Sequence, residues 1–275
     1  MSSLSPRYPI SPDDGLVDRA VIRVGAIAPI RCPVCGRVSA ASGFTVNLRE
    51  SGRCRRCGAT NRNRQIALVA ARAMGERVGK RMENLAALSD RSDLVVYNTE
   101  AQGALHDQLR GMPGYICSEY LGPDHESGEV VGETTHQDLM ALSFADASID
   151  LVLSSDVFEH VPDPYRAHRE VHRVLRPGGH HVFTVPFHLH EHAHLDDVRA
   201  RIDESGELQL LAEPIYHADP VRPEGVLVFT IFGLEMLVRL AQLGFYTQMY
   251  RLRSPGHGIV GANALVFDAV KRDEL

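Results

Sequence analysis

The sequence predicts an α/β fold: a doubly wound, mostly parallel sheet with an antiparallel edge strand, preceded by a small cysteine-bearing module. Three observations predict it. Residues 144–186 read FADASIDLVLSSDVFEHVPDPYRAHREVHRVLRPGGHHVFTVP. The apolar run at 149–153, opened by Asp150, has the pattern of a buried parallel strand, and a second run at 182–185 follows a helical segment. Strand, crossover helix and strand make one βαβ unit, the building block of a Rossmann-like sheet that binds ligands at its strands' carboxyl ends. Two more short apolar runs, 94–97 and 115–118, precede this unit. Ahead of them lie two CxxC pairs, Cys32/Cys35 and Cys54/Cys57, separated by 18 residues.

A chain of 275 residues suits one large domain plus a small one. With 44% hydrophobic and 23% charged residues it reads as a globular chain, and no apolar run approaches the length of a membrane span. The N-terminus, MSSLSPRYPISPDD, lacks an apolar signal core, so a cytoplasmic location is expected. Net charge hides an asymmetry. Residues 1–90 hold 15 Lys+Arg against 7 Asp+Glu, and residues 91–275 hold 14 against 28. Either the two parts simply pack together, or the basic part meets an anion such as RNA, a phospholipid surface or a phosphate-bearing carrier.

The elements follow in order. Residues 1–30 form an N-terminal arm and 31–65 the cysteine module. Four thiolates in two close pairs can surround one Zn²⁺ tetrahedrally, so a zinc ribbon is expected, with Cys32, Cys35, Cys54 and Cys57 as ligands. Gly36 and Gly58 let the backbone turn around the metal. Disulfides or a redox CxxC are the alternatives, and a cytoplasmic chain disfavours disulfides. Cys117, in an apolar run, reads as a buried inert thiol. Residues 44–48 alternate like a ribbon strand. Arg49, Arg53, Arg55, Arg56, Arg62 and Arg64 surround the second knuckle, either as a solvated basic face or as forked contacts to phosphate or carboxylate. Residues 66–74 read as helix within a linker, 66–90, and 91–275 form the larger domain.

In that domain the first strand, 94–97, ends in the turn Asn98-Thr99-Glu100-Ala101-Gln102-Gly103. The second, 115–118, is followed by Glu119, and His136-Gln137-Asp138-Leu139 comes next. Asp138 can cap its own turn. Ser154, Ser155, Asp156, Glu159 and His160 follow the central strand. The helix from about 165 to 175 places Ala167, Val171, Val174 and Leu175 on one face. His168 and His172, four apart, are expected to face solvent, and Arg176-Pro177-Gly178-Gly179 to stop the helix. His180 and His181 open a strand and need no function. His188, His190, His192 and His194 would share one face if extended, able to ligate a metal or line a pocket. Residues 187–226 form an insert on the ligand side, with a hairpin-like turn at 203–207, and read as a lid or acceptor wall. An amphipathic helix at 232–243 and strands at 245–252 and 264–270 complete the sheet as its antiparallel edge.

The segments SIDLVLSSDVFEHVPDP, RVLRPGG and TVPF together resemble class I S-adenosylmethionine-dependent methyltransferases of the small-molecule type, over about residues 94–271. The resemblance implies that Asn98, Thr99, Ala101 and Gly103 hold the aminoacyl part of S-adenosylmethionine. It implies that Glu119 takes the ribose hydroxyls, and that Asp138 and Leu139 meet the adenine. Ser154 and Ser155 border the cofactor. The sequence departs from the family where Tyr97 takes the acidic place and Thr99 and Ala101 take two glycine places. A working variant of the cofactor loop is expected, with a degenerate loop as the alternative. The segment YHADP with Glu224, Gly225, Val228 and Phe229, and the knuckles with Leu48-Arg49-Glu50 and Arg62-Asn63-Arg64, look like methyltransferases of bacterial surface-glycan gene sets. O-methylation of a glycan or small hydroxylated acceptor is therefore expected. His188, His160 and His217 are the candidate general bases, since an unperturbed imidazole titrates near about 6.5. Asp156, Glu159 and His160 also resemble the carboxylate-rich metal site of some quinone O-methyltransferases. An RNA methyltransferase that grips RNA with its zinc ribbon, and a non-catalytic binding protein with a degenerate loop, are the other readings. The oligomeric state is not legible.

Overall fold

The computed structural model describes residues 16–187, 194–217, 225–261 and 265–272. They form two compact units. One comprises the described parts of Met1–Ser89, Gly103–Leu109 and Tyr250–Val266, the other those of Asp90–Gln102, Arg110–Met249 and Phe267–Leu275.

In the first unit, helix α1 (Leu16–Val24) leads into β1 (Ala26–Arg31). Strand β1 pairs antiparallel with β2 (Val38–Ser42), and β2 with β3 (Arg53–Cys54). The cysteine pairs sit in the turns next to these strands. The Gly36 N–H donates to the Cys32 carbonyl and the Gly58 N–H to the Cys54 carbonyl, each at 2.8 Å. Both glycines are left-handed, at φ 70° and 72°, so other residues would be strained there. No strand forms at 44–48, against expectation. Ser51 Oγ donates to the Asn47 carbonyl at 2.6 Å and accepts from the Thr45 N–H at 3.1 Å, so local side-chain bonds turn the chain instead. The alternation survives only as burial: Phe44 and Leu48 lie inside and Val46 outside.

Helix α2 (Asn61–Arg77) extends the 66–74 segment at both ends. It starts where Thr60 and Asn63 cap each other reciprocally, with Asn63 in the place usually taken by Glu or Gln. Arg64, expected on a basic surface, is fully buried. Its guanidinium donates to the carbonyls of Gly52 (2.7 Å), Ala59 (2.6 Å) and Gly258 (2.7 and 3.2 Å). The Asn61 side chain likewise donates to the Leu48 carbonyl at 2.9 Å and the Val260 carbonyl at 2.6 Å. These bonds join the cysteine module to the distant segment 258–260 in one core. A short 3₁₀ turn, Leu85–Leu88, and α3 (Gly103–Leu109) complete the unit.

The second unit is built on a six-stranded sheet. Strands β4 (Val96–Asn98), β5 (Tyr115–Cys117), β8 (Ile149–Ser155) and β9 (Leu175–Thr184) run parallel in the order β5-β4-β8-β9. Strand β17 (Leu265–Lys271) adds antiparallel to β9, and β16 (Phe245–Arg251) forms the rim. Every residue of β8 is buried, as a central parallel strand requires. A two-residue ladder, β6 (Val130–Val131) with β7 (Thr134–Thr135), lies outside the sheet. Helix α4 (Pro164–Val174), capped by Asp163 through the Arg166 N–H at 2.9 Å, crosses over between β8 and β9. Arg176 to Gly179 do not end the helix in a loop, because β9 already begins at Leu175. They form a bulge against β8, where a Cβ on Gly179 would stand 2.8 Å from the Arg176 carbonyl oxygen.

His168 does not face solvent. It shares the stripe of Pro164, Ala167, Val171 and Val174 and is fully buried. His181 is buried beside it, with Nε2 3.0 Å from Ser154 Oγ, and His180 bonds Asp268 at 2.9 Å. Cys117 is half-buried rather than enclosed. Among the described residues, the insert and the stretch just after it form three strand pairs: β10 (Asp197–Val198) with β15 (Thr230–Ile231), β11 (Ala200–Ile202) with β12 (Leu208–Leu210), and β13 (Tyr216–His217) with β14 (Val226–Leu227). The turn 203–207 closes the β11–β12 hairpin through Asp203 Oδ1, which accepts from the Ser205 and Glu207 N–H groups at 2.8 and 3.0 Å. Helix α5 (Glu235–Gln242) precedes β16. Among the described residues no helix is long and apolar enough to cross a membrane.

Candidate functional site

The carboxyl ends of β4, β5 and β8 converge because the three strands are neighbours in register, Asn98 opposite Cys117 and Leu153. At the end of β4, Asn98 and Thr99 are buried. Asn98 Nδ2 donates to the Glu100 carbonyl at 2.7 Å and to Tyr115 Oη at 3.1 Å. Asn98 Oδ1 and Thr99 Oγ1 have no hydrogen-bond partner among the described residues. Buried polar atoms without partners are costly, so these two acceptors suit a ligand that brings N–H donors. Glu119, one residue past Ser118 at the end of β5, accepts the Ala101 N–H at 2.8 Å and so closes the 98–102 turn. Gly103 belongs to the other unit, where it opens α3 at φ 87°.

Tyr97, in the place where the resembled family has an acid, is structural. It is wholly buried, its phenol hydrogen-bonds Ser118 Oγ at 2.7 Å, and burial pushes its pKa up. Asp138 Oδ1 accepts the Met140 N–H at 2.8 Å, so it caps its own turn, and Leu139 is buried beside it. Ser154 Oγ is engaged with His181, and Ser155 is buried at the end of β8.

Beyond β8, the 3₁₀ turn Phe158–His160 and strand β13 bring Glu159, His160 and His217 together. His217 Nδ1 lies 3.4 Å and His160 Nε2 3.7 Å from Glu159 Oε1. The two imidazoles meet edge-on with centroids 5.0 Å apart. His160 Nδ1 lies 2.8 Å from the Leu227 carbonyl, so that nitrogen carries the proton. Sequence reasoning picked both histidines as bases and grouped Glu159 with His160 and Asp156, but did not join His217 to them. The signal was the Glu159–His160 adjacency, which by itself said nothing of the 56 residues of chain that separate the pair from His217. His188, His190 and His192 lie outside the described residues.

The four knuckle cysteines are free thiols, with one sulfur of each within 4.8 Å of the others. Cys32 and Cys57 Sγ are 3.7 Å apart, far beyond a disulfide. Zn–S bonds of about 2.3 Å at the tetrahedral angle put neighbouring sulfurs about 3.8 Å apart. The hydrogen bond from Cys57 lowers the Cys32 pKa to about 5 and raises that of Cys57. Of the six arginines near the second knuckle, Arg49 and Arg62 pair with Glu50 at 2.6 and 3.0 Å. Arg53, Arg55 and Arg56 are exposed.

Residues 119–183 match a family described as a methyltransferase domain. An uncharacterized methyltransferase of Mycobacterium avium (strain 104) is 38% identical over 117 residues, 34% of this chain and 46% of that protein. The chain thus spans less than half the length of the first curated relatives it matches. Among solved structures, an S-adenosylmethionine-dependent methyltransferase from Mesorhizobium loti aligns with TM-score 0.42 and 18% identity, over 73% of this chain and 98% of that one. The 1,6-didemethyltoxoflavin-N1-methyltransferase of Burkholderia thailandensis, solved with 1,6-didemethyltoxoflavin and S-adenosylhomocysteine, aligns with TM-score 0.40 and 16% identity, over 74% of this chain and 77% of that one.

Proposed function

We propose that this chain is an S-adenosylmethionine-dependent methyltransferase that methylates a hydroxyl of a glycan or another small hydroxylated acceptor. Cys32, Cys35, Cys54 and Cys57 hold a structural Zn²⁺. The observation that carries the cofactor reading is the pair of unpartnered buried acceptors, Asn98 Oδ1 and Thr99 Oγ1, at the carboxyl end of β4. An ammonium such as that of the cofactor's aminoacyl group supplies the missing donors. The small side chain of Ala101 leaves the turn open to close approach. Glu119 suits a ribose diol, with charge-assisted bonds worth about 1.5–3 kcal/mol. Asp138, Leu139, Ser154 and Ser155 complete the cofactor's surroundings. The methyltransferase-domain match over 119–183 supports the same reading. The zinc assignment rests on the 3.7 Å sulfur separation and the two left-handed glycine turns.

Held by Asn98, Thr99 and Glu119, S-adenosylmethionine would supply an electrophilic methyl group to the acceptor oxygen, its sulfur keeping the electron pair of the C–S bond. The acceptor's proton would have to leave as well. His160 and His217 are the described imidazoles placed to receive it, and His188 is the third candidate. The acceptor class follows the resemblance of the YHADP and knuckle segments. An RNA acceptor is disfavoured, because Arg64 is buried and Arg49 and Arg62 are paired with Glu50.

Transfer of a labelled methyl group to a panel of hydroxylated acceptors tests this. Once the acceptor is found, His160→Ala and His217→Ala should each lower kcat by roughly 10²–10⁴. The affinity for S-adenosylhomocysteine should be unchanged, because the imidazoles meet the acceptor and not the adenosyl group. Near-parental kcat in both variants contradicts the role given to them.

A further inference from the structure

We propose that Glu159, His160 and His217 form a second metal site, built for one divalent first-row transition ion. The Glu159 carboxylate is fully buried, and neither of its oxygens has a hydrogen-bond partner among the described residues. A buried carboxylate in that condition needs a positive partner. What faces it are two imidazole nitrogens, at 3.4 and 3.7 Å, with one ligand atom of each of the three residues within 4.8 Å of the others. Ligand bonds of about 2.0–2.2 Å place neighbouring donor atoms roughly 3.0–3.5 Å apart, depending on whether the polyhedron is octahedral or tetrahedral. The two separations from Glu159 come within a few tenths of an ångström of these edges.

The hydrogen bonding points the same way. His160 donates its Nδ1–H to the Leu227 carbonyl at 2.8 Å, which leaves Nε2 as the nitrogen facing the carboxylate. An imidazole whose second nitrogen is tied to a backbone carbonyl is also the usual arrangement of a metal-bound histidine. One strand pair organises both histidines: β14 supplies the Leu227 carbonyl, and β13, paired to it through Tyr216–Leu227 and His217–Val226, supplies His217. Two imidazoles and one carboxylate favour zinc, iron or manganese over calcium or magnesium. Three protein ligands leave positions open for oxygen donors. If the methyltransferase reading holds, the acceptor hydroxyl is the oxygen donor that fills one of them, and with His160 and His217 engaged as ligands the acceptor's proton falls to His188, the remaining candidate; these clauses alone rest on that reading.

The full chain with its cysteine site filled by zinc is titrated with Co²⁺, followed by calorimetry and visible absorption. One further ion per chain is expected, with weak d–d bands and without intense thiolate charge transfer. Glu159→Gln and His217→Ala should each weaken that binding at least about tenfold, with unchanged far-ultraviolet circular dichroism. His217 is partly exposed, so its variant keeps the test open if Glu159→Gln fails to fold. Failure to take up a further ion overturns the proposal and leaves His217 as a simple imidazolium counter-ion. So does a His217→Ala protein that binds Co²⁺ as tightly as the parent. S-adenosylhomocysteine binding is measured on the same samples. Cofactor binding without a further ion rejects only the metal site. A further ion without cofactor binding rejects the methyltransferase reading and upholds the metal site.

Discussion

The His168 imidazole stacks on Phe158 with ring centroids 4.3 Å apart, and neither of its nitrogens has a hydrogen-bond partner. Burial pushes its pKa down to about 3, and burial together with the His168 charge drives His181 well below its ordinary value. Both folded pKa values lie below the unfolded one of about 6.5. As pH falls below that value the unfolded chain takes up protons that the folded chain refuses, so stability is lost between about pH 6.5 and 3. From pH 7 to pH 5 the loss should be about 2 kcal/mol for each histidine. Urea midpoints of the parent and of His168→Phe check this. The variant should lose less by about that amount, and equal losses contradict a neutral buried His168. The burial was within reach of the sequence, since position 168 lies three residues before Val171 on the apolar stripe, but histidine's polarity argued for solvent. Asn98 and Glu119 were legible as ligand candidates because strand ends are. The joining of His217 to Glu159 and His160 was not, because His217 arrives from an insert whose fold no local pattern fixes.

At the scale of elements, the β8–α4–β9 unit could be read from residues 144–186, because buried strands and an amphipathic helix each leave a local period. The start of β9 at Leu175 could not, since Pro177 and two glycines look like a loop until β8 supplies the pairing. Around the knuckles the reading at 44–48 failed because Asn47 and Ser51 offered the backbone local partners. The start of α2 shows a long-range bond of another kind. Arg64 and Asn61 reach the carbonyls of Gly258 and Val260, nearly 200 residues away, which no local pattern reveals. If zinc supplies the folding free energy of the knuckles, removing it should loosen these bonds together. Hydrogen exchange after chelation should show peptides covering 53–64 and 258–261 losing protection in one step. Continued protection of 258–261 with the knuckles open contradicts this coupling.

For the whole molecule, the sequence separated a basic N-terminal part from an acidic C-terminal one, and each of the two units has its own core. The division was not legible in full. Gly103–Leu109 and Tyr250–Val266 join the first unit although they are distant from it in sequence, because their partners are non-local. Most of the basic residues described in the N-terminal part are exposed, Arg53, Arg55 and Arg56 among them, and the buried Arg64 is an exception. The cofactor loop is where the chain departs most from the family it resembles, at Tyr97, Thr99 and Ala101. Everything proposed about function depends on that loop binding its ligand. Calorimetric titration of the zinc-loaded full chain with S-adenosylhomocysteine tests it most directly. A Kd in the micromolar range, on the order of −8 kcal/mol, is expected, with Glu119→Ala weakening it roughly tenfold to a hundredfold. No heat at high protein concentration, and no competition by S-adenosylmethionine, would mean a degenerate loop and a binding protein instead of an enzyme.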